Sequence, residues 1–248
     1  MKRAVNALFM AWGMFCSVPC PYKKWEDGAR ALMLLFFPAV GLLTGALWYL
    51  AAVVLRALDA PRAIAAAVMA LMPYLLTGMI HLDGYMDSCD AILSRRDLEE
   101  RRRILKDPHT GSFAVVCLAA LFLMSYSAFS AWDFRGASAL IWMSAAVRAA
   151  AGIAVNVLKP MGHSQYAGSY AEQSRPSHIV VQCVSLTAAA AMGFLTAGIY
   201  GFAVLAAVGG YAAACLYGYV QLRGMSGDIS GFALTVGEFC GVLLLALL

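Results

Sequence analysis

His81-Leu82-Asp83-Gly84-Tyr85-Met86-Asp87-Ser88-Cys89-Asp90 closes one apolar run and opens the most charged segment of the chain. Written on a helix, Asp83, Asp87 and Asp90 stand at i, i+4 and i+7, so three carboxylates share one face. Carboxylates that close repel one another unless a cation lies among them, and hard oxygen donors select magnesium or manganese. The alternative is a helix end whose acids are simply solvated. A helix C-terminus prefers cations to carboxylates, which weighs against that alternative. Ionisable groups at or within a bilayer are functional by default.

The runs around this stretch decide the fold class. Of 248 residues, 62% are hydrophobic and only 13% charged, with a mean hydropathy of +0.74. A soluble domain is about half apolar and a quarter charged, so an integral membrane protein is expected. The apolar runs are rich in Leu, Ala, Val and Gly and do not alternate, which predicts an all-α, polytopic transmembrane bundle. About seven spans fit, at residues 31–55, 63–80, 111–131, 137–158, 177–200, 202–222 and 231–248. Residues 1–30 read as an N-terminal interfacial segment, because Asn6, Trp12 and Gly13 interrupt the apolar part behind Lys2 and Arg3. Residues 83–110 read as a polar active-site loop. Pro38 is expected to kink the first span, and Pro73 and Gly78 to loosen the second just before the acids. The whole chain reads as one membrane domain without repeats. Seven cysteines without CxxC spacing suggest neither disulfides nor a zinc site.

Basic residues orient this topology. Lys2, Arg3, Lys23, Lys24 and Arg30 share one side with Arg95, Arg96, Arg101, Arg102, Arg103 and Lys106, and with Lys159, Arg175 and Arg223. Only Arg56, Arg62 and Arg135 fall on the other. Fourteen against three predicts a cytoplasmic N-terminus and a cytoplasmic aspartate loop.

Four polar patches then converge on that side: the acids with His81; Lys106-Asp107 with His109 and Gly111; Arg148 with the loop from Lys159 to Gln165; and Gly227-Asp228-Ile229-Ser230-Gly231 followed by Glu238. Most of the loop cations need do no more than set topology and touch anionic lipid. Arg148, inside a predicted span, must find a partner, either a substrate phosphate or a structural carboxylate such as Glu238. The glycines beside Asp228 allow a flexible turn or a close approach of backbone to phosphate or metal. His163 and His109 read as hydrogen-bonding loop residues, and His81 as a phosphate donor or an orienter of the acids. Acids, a divalent cation and bases at a membrane point to phosphoryl transfer. The substrate stays open on these residues alone.

Phe37-Pro38-x-Val40-Gly41-x-x-x-Gly45, His81-Leu82-Asp83-Gly84-x-x-Asp87-x-x-Asp90, Lys106-Asp107-x-x-x-Gly111, Arg148, and Gly227-Asp228-x-x-Gly231 with Glu238 occur in this order along nearly the full length. In these motifs the chain resembles the cobalamin synthase (adenosylcobinamide-GDP ribazoletransferase) family. Tyr85, Met86, His109 and Ser226 depart from that pattern. The resemblance implies a magnesium-dependent transferase of the inner membrane that joins adenosylcobinamide-GDP to α-ribazole or its 5′-phosphate and releases GMP. It implies metal ligands among Asp83, Asp87, Asp90, Asp228 and Glu238, and catalytic roles for Asp90, His81 and Asp87. Substrate contacts are expected from Lys106, Asp107, Arg148, Gly84, Gly227 and His163. Partners are the two small substrates and the bilayer, without nucleic acid; a homo-oligomer stays open. The carboxylate layout is similar to that of CDP-alcohol phosphatidyltransferases, although no Ala-Arg pair follows Asp83-Gly84 here. A transporter with the aspartates as a cation or proton site is the remaining alternative, weakened by the edge position of the acids and the lack of repeats.

Overall fold

Apolar runs in a bilayer must satisfy their backbone polar groups internally, and helices do this segment by segment. The structure, a computed structural model that describes residues 2–22, 24–162 and 175–248, follows that rule. Its elements are α1 (Lys2–Phe15), α2 (Arg30–Met33), α3 (Phe37–Ala57), α4 (Arg62–Leu76), α5 (Ile80–Leu93), α6 (Leu98–Ile104), α7 (Ser112–Ala131), α8 (Ala139–Val157), α9 (Pro176–Ala197), α10 (Phe202–Leu222) and α11 (Gly227–Leu247). Among the described residues the one extended pairing is an isolated bridge between Pro160 and Met225.

Among the described residues five helical stretches are long and apolar enough to cross a membrane, Leu34–Ala57, Ser112–Ala131, Ala139–Val157, Pro176–Leu222 and Gly227–Leu247, and the bent pair α4 and α5 makes a sixth if counted as one span. The fourth is not one rod. Gly198 takes a positive φ of 59°, and the Phe194 and Phe202 rings meet edge-on with centroids 5.0 Å apart, so α9 and α10 fold back on each other. The chain is thus a polytopic helical membrane bundle, as its composition requires.

Three expectations change in detail. Residues 63–80 are expected to form one span loosened at Pro73 and Gly78; instead α4 ends at Leu76 and α5 leaves at an angle of 93°. Gly78 and Met79 turn the corner with φ values of 61° and 65°, and only the first is a residue that adopts that region without strain. Residues 83–110 are not a loop. The acids ride on α5, and α6 follows, its N-terminus capped by the Asp97 side chain on Glu100 N. Pro38 does not kink a span either; it sits in the first turn of α3, where its missing N–H has no intrahelical partner to lose.

α8 is the buried axis. It packs against α3, α9, α10 and α11 and buries twelve of its nineteen residues, many of them Ala. Gly41 and Gly45 let α3 lie directly on it: a Cβ at either would come within 2.6–2.7 Å of the α8 backbone. This is the small-xxx-small solution for helices that lack a hydrophobic driving force between them. α1 buries Ala7, Met10, Ala11 and Phe15, one stripe at helical spacing.

The polar end of the bundle is tied by clasps between segments. Met225 N donates to Lys159 O and Met161 N to Met225 O, both at 2.9 Å. From α6, Arg102 Nε donates to Leu222 O (3.0 Å) and its Nη2 to Arg223 O (2.8 Å), while Arg101 Nη1 reaches Gln221 Oε1 at 2.6 Å. Two cations therefore sit on the C-terminus of α10, where the helix dipole and its unpaired carbonyls favour them.

Candidate functional site

The two aspartate–glycine motifs meet. His81-Leu82-Asp83-Gly84 opens α5, and Gly227-Asp228-Ile229-Ser230-Gly231 opens α11, so Asp83 and Asp228 both stand in the first turn of a helix. There a carboxylate is stabilised by the dipole and free N–H groups. Ser226 caps α11, accepting from Ile229 N and donating to Asp228 Oδ2, each at 3.3 Å.

The helices cross at their glycines. A Cβ on Gly84 would lie 2.8 Å from Asp228 O, and one on Gly231 would lie 3.0 Å from His81 O. Each motif's glycine thus makes room for the backbone of the other motif's polar residue. Thr235 Oγ1 adds a hydrogen bond to His81 O at 3.3 Å. Gly84 acts at this crossing and not as a wall of the cavity beside it.

That cavity, of about 310 Å³, is lined by Asp83, Asp228, Gly227 and His81 on the polar side and by Phe15, Phe37, Leu34 and Leu234 on the apolar side. His81 is buried, and its Nε2 has no hydrogen-bond partner. Asp87, half-buried one turn along α5, lies within electrostatic reach of Asp83, Asp228 and Asp90. Asp83 and Asp228 share the cavity with His81, while Asp87 acts on them only through the field of its charge.

Asp90 and Glu238 are placed differently. Asp90 accepts from Gly111 N (2.6 Å) and Ala114 N (2.9 Å), so both its oxygens cap the start of α7. A Cβ on Gly111 would fall 2.6 Å from Asp90 Oδ1, which ties the Asp90 and Gly111 motifs to one contact. Glu238 is buried against Arg148, with Nη1 to Oε1 at 2.8 Å, and Ser144 Oγ donates to the same oxygen at 3.2 Å. Thr44 completes the cluster on Ser144. Of the two partners open to Arg148, the structural carboxylate Glu238 is in place through Arg148 Nη1. Its Nε and Nη2 remain unpaired, with the Phe37 ring 5.8 Å from Cζ.

Lys106 is exposed beyond α6 and does not line the cavity. Asp107 accepts from His109 N at 3.0 Å and meets the His109 ring at 2.7 Å; the backbone N–H first, and then the ring, hold its carboxyl below the usual 3.8. His163 lies outside the described residues, as do Ser164 and Gln165 of the loop that begins at Lys159. Sequence reading missed the wall that is present: Met14 and Phe15 of α1, with Leu34 and Phe37. The amphipathic stripe of α1 was the signal available for it.

Among the described residues no three His, Cys, Asp or Glu side chains converge closely enough to hold a metal ion by themselves. Magnesium does not ask for that. It keeps several waters and is commonly held by one or two carboxylates plus substrate phosphates, which Asp83 and Asp228 across one cavity suit.

The model of the family described as cobalamin-5-phosphate synthase matches residues 7–246. A relative from Clostridium perfringens (strain 13 / Type A), named adenosylcobinamide-GDP ribazoletransferase, is 34% identical with both chains covered in full. Relatives of the same name come from Lachnoclostridium phytofermentans, 27% identical over 93% of this chain and 89% of its own, and from Pseudomonas putida (strain GB-1), 32% identical over 86% and 87%. No solved structure matches the chain.

Proposed function

The chain belongs to the cobalamin-5-phosphate synthase family, and we propose that it joins adenosylcobinamide-GDP to α-ribazole, or to α-ribazole 5′-phosphate, with release of GMP. A ribose hydroxyl of the ribazole attacks the phosphorus that stays with adenosylcobinamide. A new O–P bond forms, the bond from that phosphorus to the bridging oxygen breaks, and GMP leaves with the bridging oxygen. The hydroxyl proton passes to a carboxylate.

The observation that carries this reading is the shared cavity of Asp83 and Asp228, delivered from two distant motifs through a crossing of glycines. A magnesium ion held by these two carboxylates would neutralise the diphosphate and stabilise the leaving phosphate. Asp87 suits the proton acceptor, because it lies in the same field of acids while both oxygens of Asp90 already accept from backbone N–H groups. His81 offers its free Nε2 to a phosphate oxygen or to the attacking hydroxyl. Arg148 holds Glu238 and fixes α8 against α11 behind the site.

The excess of basic residues at this end of the bundle supports a cytoplasmic orientation in the cell's inner membrane. The test is GMP release by the purified protein in detergent or nanodiscs, titrated with magnesium after chelation. Turnover should follow the added magnesium. Undiminished turnover in excess chelator would remove the metal from the reading, and the absence of GMP release from the two substrates would remove the transfer.

A further inference from the structure

The cavity at Asp83 and Asp228 is small for the reaction it serves. At about 310 Å³ it sits at the lower end of the roughly 300–1,000 Å³ used by drug-sized ligands. It accommodates a diphosphate with part of a nucleoside, and has no room for a corrin macrocycle as well. Further cavities, however, share its walls. A second cavity of about 600 Å³ shares Met14, Ile80 and Asp83 with it. A third, of about 500 Å³, shares Gly13, Met14, Cys16 and Ser17 with the second. A fourth, of about 530 Å³, joins the third through Phe9, Tyr22 and Lys24. Together they form one trough that starts at Asp83 and runs along α1.

The chemistry changes along the trough. Among the described residues Asp83 is the sole carboxylate lining these three outer cavities, and it also lines the acidic one. Farther out the walls are ring faces, a thioether and cations. Phe9 and Tyr22 pack with centroids 5.5 Å apart, Trp25 and Tyr22 are exposed at 51% and 42%, and Lys24 and Lys2 stand at the outer end. A broad planar ring that carries amide arms needs apolar faces to lie on and donors at its edge. We infer that the trough along α1, walled further by residues 17–22 with Lys24 and Trp25, is the seat of the corrin macrocycle, which hangs its diphosphate over Asp83. The inference rests on the transfer reading above and adds to it the place of the bulky half of the substrate.

Gly13 gives the test. It lines two of the cavities, and a Cβ there would meet only Cys20 Cβ at 3.9 Å. A larger side chain at this position would therefore project into the trough without disturbing α1. In Gly13→Phe the KM for adenosylcobinamide-GDP should rise by about tenfold or more, the scale on which a pocket rejects a misfit, while the KM for α-ribazole stays as in wild type. Gly13→Ala should resemble wild type in both. A second measurement does not need turnover: cobinamide, which lacks the nucleotide, should quench the protein's tryptophan fluorescence, and Trp25→Phe should remove most of that change. An unchanged KM for adenosylcobinamide-GDP in Gly13→Phe, equal losses for both substrates, or full quenching in Trp25→Phe would each overturn the inference. A wild-type protein that releases no GMP at all would instead fail the transfer reading on which it rests.

Discussion

Four of the acids that the motifs supply fall into two pairs, and the pairs differ in what they face. Asp90 and Glu238 are closed: one caps α7, the other is buried against Arg148. Asp83 and Asp228 are open: they face a cavity across the crossing of α5 and α11. All four come from motif segments, and all four sit on the same two helices, α5 and α11. An acid's position in a motif places it near the site, and only its partner decides whether it holds the protein or holds a ligand.

The comparison breaks most sharply at the open pair. Asp83→Asn and Asp228→Asn should each lower GMP release by at least about 10²–10⁴-fold, the range of a lost catalytic group, with the thermal midpoint in detergent within a few degrees of wild type. A fully active Asp83→Asn would move Asp83 into the closed class. Next comes the buried ion pair. Glu238→Ala leaves a buried guanidinium without its anion and should cost about 3–5 kcal/mol of stability, read from denaturant midpoints. The double change Arg148→Met with Glu238→Leu should recover most of that loss, because paired apolar replacements remove both charges at once. No recovery would mean that Arg148 has a further anionic partner.

Smaller effects sharpen the same division. Asp90→Ala uncaps α7 and should cost about 0.5–2 kcal/mol, the worth of a helix cap, and turnover should fall only as far as the shifted start of α7 disturbs the site. A loss of turnover as large as that of Asp83→Asn, in a stably folded protein, would make Asp90 a participant. Arg102→Ala is expected to have the least effect. It frees the Leu222 and Arg223 carbonyls at the C-terminus of α10 and should cost about 1–2 kcal/mol. Its signature should be faster amide exchange near residues 222–226, while the KM for both substrates changes little.

The sequence carried much of this arrangement for stated reasons. Non-alternating apolar runs forced helices, and the i, i+4, i+7 spacing placed three aspartates on one helical face. The corner between α4 and α5 was not readable. Gly78 announced looseness, but a second left-handed residue at Met79, whose N–H closes back onto Tyr74 O, runs against the local preference of a methionine. Arg148 was readable only as a residue that must have a partner. Its choice of Glu238, ninety residues away, depends on how α8 meets α11. The α1 wall was hidden because an amphipathic helix at a membrane looks the same whether its apolar stripe meets lipid or, as Phe15 does, a cavity in its own bundle.

The glycines at the crossing have a consequence for inheritance. Gly84 leaves space for the backbone at Asp228, and Gly231 leaves space for the backbone at His81, so neither motif has an independent shape. A drift in the path of α5 is felt first as a clash at α11, and the reverse holds equally. The two segments should therefore travel between relatives as a single unit. A chimera that takes α5 alone from a distant relative should fold and turn over poorly, and one that takes α5 together with α11 should regain both.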